Sequence, residues 1–166
     1  MQSLDLYIPG TRDTLQLGEI LASKLAAIPA FALLLQGELG SGKTTLVRGL
    51  VESLPGGEQA EVSSPSFNIF NIYPTKPEVI HFDLYRLEEQ GFDEGLVDYL
   101  HTDQQLVVVE WAEFLPASYW PQDYLLFNFE HTEKERKIMI TAKGKNSAQF
   151  LKNCEPLLGS YLKEQK

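Results

Sequence analysis

Residues 31–54 constrain this chain more than any other stretch. An apolar run, Phe31-Ala32-Leu33-Leu34-Leu35, leads into Gln36-Gly37-Glu38-Leu39-Gly40-Ser41-Gly42-Lys43-Thr44, and Leu46, Leu50 and Leu54 follow at one per helical turn. The order is buried strand, glycine loop, helix, and the loop fits the phosphate-binding pattern G-x-x-x-x-G-K-[ST]. Each part has a physical reason. The glycines let the backbone N–H groups of Gly37–Thr45 come close to an oxyanion. A helix starting near Gly42 adds the positive end of its dipole and its unpaired amides. Lys43 is expected to reach the β- and γ-phosphates, and the Thr44 hydroxyl to ligate Mg²⁺. A glycine turn before a helix can arise by chance, but the flanking strand and helix argue against that here. The expectation is a nucleoside triphosphate site.

A chain of 166 residues suits a single domain, 1–166, with a full core. The formal net charge of −9 argues against a free-standing nucleic-acid binder, which needs a basic face. Contact with RNA inside a larger assembly stays open. The one cysteine, Cys154, excludes an internal disulfide and forms no zinc pattern, so it reads as a small buried hydrophobe. No basic segment leading into an apolar core opens the chain. No apolar stretch approaches the roughly 20 residues that span a membrane. The expectation is a cytoplasmic protein without a membrane partner.

Along the chain, Leu4, Leu6 and Ile8 alternate in a strand over 3–8 that Pro9-Gly10 ends. Thr11 or Asp13 then caps a helix carrying Leu17, Ile20, Leu21 and Leu25 on one face. After the loop helix, Pro55-Gly56-Gly57 is a stop. A strand over 67–73 and another over 79–83 form a hairpin across Pro74-Thr75-Lys76-Pro77. Residues 86–100 read as two short helices broken at Gly91 and Gly95. Leu106–Glu110 is a continuous apolar strand of the kind buried in a parallel sheet. Two late strands, 125–129 and 137–142, precede a helix that Ser147 caps and that buries Phe150, Leu151, Cys154 and Leu158. The fold class is α/β: a three-layer P-loop sheet with central parallel strands and an antiparallel edge.

A phosphate loop alone hydrolyses nothing; it needs a carboxylate to hold the metal and a group to order water. Glu110 ends the apolar strand at the carboxyl edge, where ligands sit in such sheets, and so reads as a Walker-B metal ligand opposite Thr44. Glu113 is a weaker carboxylate candidate. In His81-Phe82-Asp83-Leu84-Tyr85-Arg86, His81 and Asp83 share one strand face. They either order water or touch the metal shell, or form a structural polar cluster with Arg86 pairing a surface carboxylate. Ser64-Pro65-Ser66-Phe67 lies where switch loops often sit, and as a lone S-P-S it also reads as a plain turn.

These blocks together resemble the TsaE (YjeE) family, the small P-loop ATPases of bacterial tRNA threonylcarbamoyladenosine (t6A) biosynthesis. The match is carried by Thr14–Gly18, Gly37–Thr45, Ser64–Phe67, His81–Leu87 and Val109-Glu110-Trp111, in the family's order and spacing. The resemblance implies binding of ATP or ADP with Mg²⁺ and slow hydrolysis by the protein alone. It also implies assembly with the TsaB–TsaD proteins that modify the adenosine at position 37 of tRNAs reading ANN codons. Contact with tRNA is then indirect. Carried over, Lys43 and Thr44 keep their phosphate and metal roles, and Gly37, Glu38, Leu39, Gly40, Ser41, Gly42 and Thr45 cradle the phosphates. Glu110 becomes the metal ligand and Asp83 a residue needed for hydrolysis. Trp111 lies near the nucleotide, and Thr11 and Lys134 border its base.

Two departures stand out. The family usually has threonine at the position of Ser66, where the hydroxyl survives, and proline after the Glu-Trp pair, where this chain has Ala112. Other nucleotide enzymes fit less well. A GTPase needs N-K-x-D and D-x-x-G, and neither occurs anywhere in the sequence. A small-molecule kinase needs several lid arginines, and the chain has only Arg12, Arg48, Arg86 and Arg136. A nucleotide-gated binding module with incidental hydrolysis is the remaining alternative.

Overall fold

The computed structural model describes residues 1–25, 29–65, 68–132 and 135–162. In chain order its elements are β1 (Gln2–Ile8), α1 (Thr11–Lys24), β2 (Ala32–Gly37), α2 (Lys43–Ser53), β3 (Phe70–Tyr73) and β4 (Val79–Asp83). They continue as α3 (Leu87–Gln90), α4 (Val97–Leu100), β5 (Leu106–Glu110), β6 (Tyr124–His131), β7 (Arg136–Lys143) and α5 (Lys145–Cys154). One mixed sheet holds all the strands in the order β1-β7-β6-β2-β5-β4-β3.

The central strands β6, β2, β5 and β4 run parallel. Antiparallel pairing flanks them on both sides, through β3 at one edge and β7 and β1 at the other. The expected single antiparallel edge is therefore two. The late hairpin returns to β2 rather than closing on itself, and strand pattern alone does not say which neighbour a hairpin joins. The third strand begins at Phe70, after bends at 68 and 69; Phe67, its expected start, lies outside the described residues.

Strand alternation divides the core. Leu33, Leu35 and Val108 face one way, against Leu17 and Leu21 of α1, Leu46 and Leu50 of α2, and Phe150 and Leu151 of α5. Ala32, Leu34, Val107 and Val109 face the other, against the thinner cover of Leu84, Leu87, Leu96, Leu100 and Leu115. Cys154 lies in the first cluster, fully buried, and burial pushes its thiol up to about 12. It acts as the small hydrophobe expected of it.

At 11 residues, α2 is too short to persist alone in water. Packing of Leu46, Val47, Leu50 and Val51 supplies what propensity cannot. It lies unusually close to α1. A Cβ added at Gly49 would stand 2.2 Å from the Leu15 carbonyl oxygen, and one at Gly18 2.5 Å from the Leu50 amide nitrogen. That contact sets the loop at the head of α2 beside the first turn of α1.

Two expected caps are replaced. Gly10 precedes α1, and neither Thr11 nor Asp13 caps it; Asp13 sits in the first turn, where its charge suits the helix dipole. Gly144 precedes α5, and the cap comes from a distant residue. Asp123 accepts from the amides of Asn146 at 2.8 Å and Ser147 at 2.9 Å, while the Ser147 hydroxyl donates to the Gly144 carbonyl. Among the described residues, no helix is long and apolar enough to cross a membrane.

Candidate functional site

The parallel strands β2, β5 and β4 end on the same edge, and the glycine loop crosses above them. Gly42 closes the loop at φ +108°, a left-handed conformation that glycine tolerates and other residues resist. No side chain caps α2, so its first-turn amides face the loop without a side-chain acceptor. Lys43 follows at once and turns back: its ammonium donates to the Gly37 carbonyl at 2.5 Å and the Glu38 carbonyl at 2.8 Å. The loop is thus folded around a lysine that is only 4% exposed. Burial lowers the Lys43 pKa from its ordinary value, against the opposing pull of Glu110, Glu113 and Asp83.

The Trp111 ring completes the lysine's surroundings, with the Lys43 nitrogen 4.0 Å from its centroid. Trp111 holds φ +57° and ψ +44°, a costly backbone for a bulky residue. Its ring stacks on Phe114 and meets Tyr85 at 4.8 Å between centroids.

Next to Lys43, the Thr44 hydroxyl donates to Glu110 Oε2 at 3.1 Å. The other oxygen of Glu110 meets His81 Nε2 at 2.8 Å. His81 is fully buried and is not among the residues lining the cavity at this edge; it stands behind Glu110. Its Nδ1 lies 3.4 Å from the Tyr73 hydroxyl, which also reaches the Ser63 carbonyl at 3.3 Å. Burial raises the Tyr73 phenol above its ordinary pKa and keeps it protonated.

Asp83 lies opposite Glu110 in the β4–β5 register. One of its oxygens accepts from the Ser64 hydroxyl, and the other accepts from the Tyr85 amide at 3.0 Å. Ser64 therefore does more than form a turn: it ties its segment to Asp83.

A cavity at this edge is lined by residues 39–45 together with Ser64, Asp83, Tyr85, Glu110, Trp111 and Arg136. It gathers Leu39, Gly40, Ser41, Gly42, Lys43, Thr44, Thr45, Asp83, Glu110 and Trp111 from the residues expected to form a site. Gly37 and Glu38 stand behind it and contribute the carbonyls that Lys43 bonds. Thr11, the first residue of α1, is not among the lining residues, and neither is the exposed Glu113. Lys134 and Ser66 lie outside the described residues.

Three lining residues escaped the sequence reading as site residues: Tyr85, Arg136 and, as a partner of Asp83, Ser64. Arg136 begins β7, which runs antiparallel to β6, so its position pairs with His131 at the carboxyl end of the parallel strands. A Cβ placed on Gly42 would lie 3.1 Å from its guanidinium. Only knowledge of that pairing brings a residue so late in the chain to the loop.

The donor set suits a small hard cation beside an anion. Mg²⁺ is held by one or two carboxylates, a hydroxyl and substrate oxygens rather than by an all-protein cage. Thr44 and Glu110 offer a hydroxyl and a carboxylate of that kind, and no cluster of three or more His, Cys, Asp or Glu that could hold a metal occurs among the described residues.

Residues 8–138 match the family model described as "Threonylcarbamoyl adenosine biosynthesis protein TsaE". Among similar proteins, the tRNA threonylcarbamoyladenosine biosynthesis protein TsaE of Haemophilus influenzae is 36% identical over 163 residues, spanning 92% of this chain and 100% of that one. Its counterpart in Bacillus subtilis is 38% identical over 133 residues, 79% of this chain and 80% of the other. The crystal structure of Bacillus subtilis YdiB superposes with a TM-score of 0.76 at 27% identity, covering 94% of this chain and 96% of that one.

Proposed function

The chain belongs to the TsaE family, and on that premise we propose that it is a Mg²⁺-dependent ATPase of P-loop type. In this reading it acts in the cytoplasm with TsaB and TsaD in the t6A modification of tRNAs reading ANN codons. The observation that carries the proposal is the Thr44–Glu110 contact beside Lys43, at the mouth of one cavity that Asp83 also lines. The groups that would hold a cation and those that would cradle a phosphate are thereby adjacent, as phosphoryl chemistry requires.

Each residue has a role that follows from its place. The first-turn amides of α2 and the ammonium of Lys43 hold the β- and γ-phosphate oxygens. Thr44 and Glu110 would hold a magnesium ion, which would supply positive charge against the charge growing on the phosphate oxygens. Asp83, anchored by Ser64 and the Tyr85 amide, holds the attacking water for in-line approach. Arg136 offers a further positive charge at the glycine loop. Trp111 keeps Lys43 in place and shields the loop from water. The absence of the N-K-x-D guanine motif favours adenine as the base. Among the cavity's lining residues, Arg136 is the one arginine, which fits hydrolysis better than the arginine-rich lid of a kinase.

ATP hydrolysis measured with and without TsaB–TsaD tests the proposal. The expected result is slow Mg²⁺-dependent turnover that rises in the complex and is lost in Glu110→Ala and Asp83→Ala. Full tRNA modification by a Glu110→Ala protein that binds ATP but cannot hydrolyse it would favour a nucleotide-gated binding module instead.

A further inference from the structure

Behind the cavity runs a line of polar groups on three adjacent strands, of which the chemistry above uses only Glu110. Tyr73 on β3, His81 on β4 and Glu110 on β5 are 6%, 0% and 2% exposed. Their contacts form one chain: Ser63 carbonyl to Tyr73 hydroxyl at 3.3 Å, hydroxyl to His81 Nδ1 at 3.4 Å, and His81 Nε2 to Glu110 Oε1 at 2.8 Å. From Glu110 the other oxygen passes to Thr44 at 3.1 Å.

An imidazole buried in an apolar sheet face is costly, and a leucine there would pack without that cost. What histidine adds is a pair of opposed ring nitrogens. With the Nε2 proton donated to Glu110, Nδ1 is an acceptor, and the single Tyr73 O–H is shared between it at 3.4 Å and the Ser63 carbonyl at 3.3 Å. That arrangement leaves no buried side-chain nitrogen or oxygen unpartnered among the described residues. A glutamate carboxylate otherwise rotates freely about its last bond. Held at Oε1, it must present Oε2 to Thr44 and the cavity.

We propose that Tyr73 and His81 are positioning residues that fix the carboxylate of Glu110 for the metal, with the Ser63 carbonyl as the chain's far anchor. This rests on the reading of Glu110 as a Mg²⁺ ligand. Groups that orient a metal ligand from behind change metal affinity by about 10–100-fold when removed. The feature is legible only in three dimensions, because Tyr73 stands outside every motif of the sequence.

The test uses the full chain and three variants, Tyr73→Phe, His81→Gln and His81→Leu. Mn²⁺ binding in the presence of saturating ATP is read by electron paramagnetic resonance, and ATP binding without metal by calorimetry. His81→Leu is expected to weaken Mn²⁺ binding about 10-fold or more. His81→Gln, whose amide N–H can replace Nε2–H, is expected to stay within about threefold of the parent, and Tyr73→Phe to fall between. Metal-free ATP binding is expected to be unchanged in all three. A lower melting temperature with unaltered Mn²⁺ affinity in Tyr73→Phe and His81→Leu would reduce the pair to a structural role and overturn the proposal. Should His81→Leu fail to fold, Tyr73→Phe decides, because it removes a single oxygen. If the parent protein bound no Mn²⁺ with ATP, both this proposal and the ATPase reading would fall. A parent that binds it tightly beside an equally tight Tyr73→Phe overturns this proposal alone.

Discussion

Thr44 and Glu110, 66 positions apart, meet across 3.1 Å where the first turn of α2 passes the end of β5. Glu110 also holds His81, so its two oxygens serve the site and the core separately. Two substitutions should split these functions. Glu110→Ala leaves His81 Nε2 buried without a partner, which costs about 1–3 kcal/mol, or roughly 3–10 °C in melting temperature. Glu110→Gln keeps the shape and part of the bonding and should melt close to the parent. Both should lose Mg²⁺-dependent hydrolysis by about 100-fold or more. Thermal melts and Mg²⁺ titrations of turnover check this; a Glu110→Gln protein with parental turnover would count against the metal role.

Trp111 sets backbone strain against ring contacts. Its left-handed backbone costs about 1–2 kcal/mol, which Trp111→Gly would relieve. The ring gives back more: about 0.5–1.5 kcal/mol for each of its contacts with Tyr85 and Phe114, and about 1 kcal/mol or more over Lys43. Trp111→Gly should therefore be less stable than the parent and bind ATP about 10-fold more weakly, by calorimetry. Trp111→Phe should keep most of both. A glycine variant more stable than the parent would show that the ring contributes little.

The contact between α1 and α2 predicts an asymmetry among glycines. Alanine is ordinarily better than glycine inside a helix by about 1 kcal/mol. At Gly49 the added carbon would overlap the Leu15 carbonyl, so Gly49→Ala should instead destabilise by about 2 kcal/mol or more. Gly159→Ala, with nothing within 4 Å, serves as the neutral control. Denaturant unfolding of the two variants distinguishes them.

Asp123 supplies a pH dependence. Desolvation pushes its pKa up, but the bonds from Ser147 and Asn146 outweigh that, and the folded value lies below the ordinary carboxylate value. A depressed folded pKa means stability that is present above the unfolded value and lost as the pH falls through the folded one. Asp123→Ala should lose about 1 kcal/mol at neutral pH, as for a missing helix cap. Its stability should also fall less steeply than the parent's below about pH 4. Parallel acid-unfolding curves would show that the cap carries no charge-dependent stability.

Local chemistry made the glycine loop legible, since its residues are neighbours in sequence and their spacing states the turn they form. The same holds for the apolar strand before Glu110 and for the break between the short helices at Gly91, whereas Gly95 lies within the turn that leads directly into α4. Strand alternation puts His81 and Asp83 on one face, and only the packed sheet shows that His81 is buried. Alternation says which side of a strand a residue takes and nothing about how deep it lies. The caps of α1 and α5 were misjudged for a related reason: Thr11, Asp13 and Ser147 have capping chemistry, yet the amides of α5 are met by Asp123, 23 and 24 positions away.

The sequence by itself determined the strand, glycine loop and helix around Gly37–Thr44, the carboxylate at the end of β5 and the kinship with the TsaE proteins, because each is written in contiguous residues. The tertiary structure decided which groups stand together at the carboxyl edge of the sheet. Strand order placed Arg136 beside Gly42, set Asp83 level with Glu110, and ran Tyr73 and His81 behind that carboxylate. Contacts of this kind depend on register between strands far apart in the chain, and burial of the whole sheet, rather than any local preference, fixes that register.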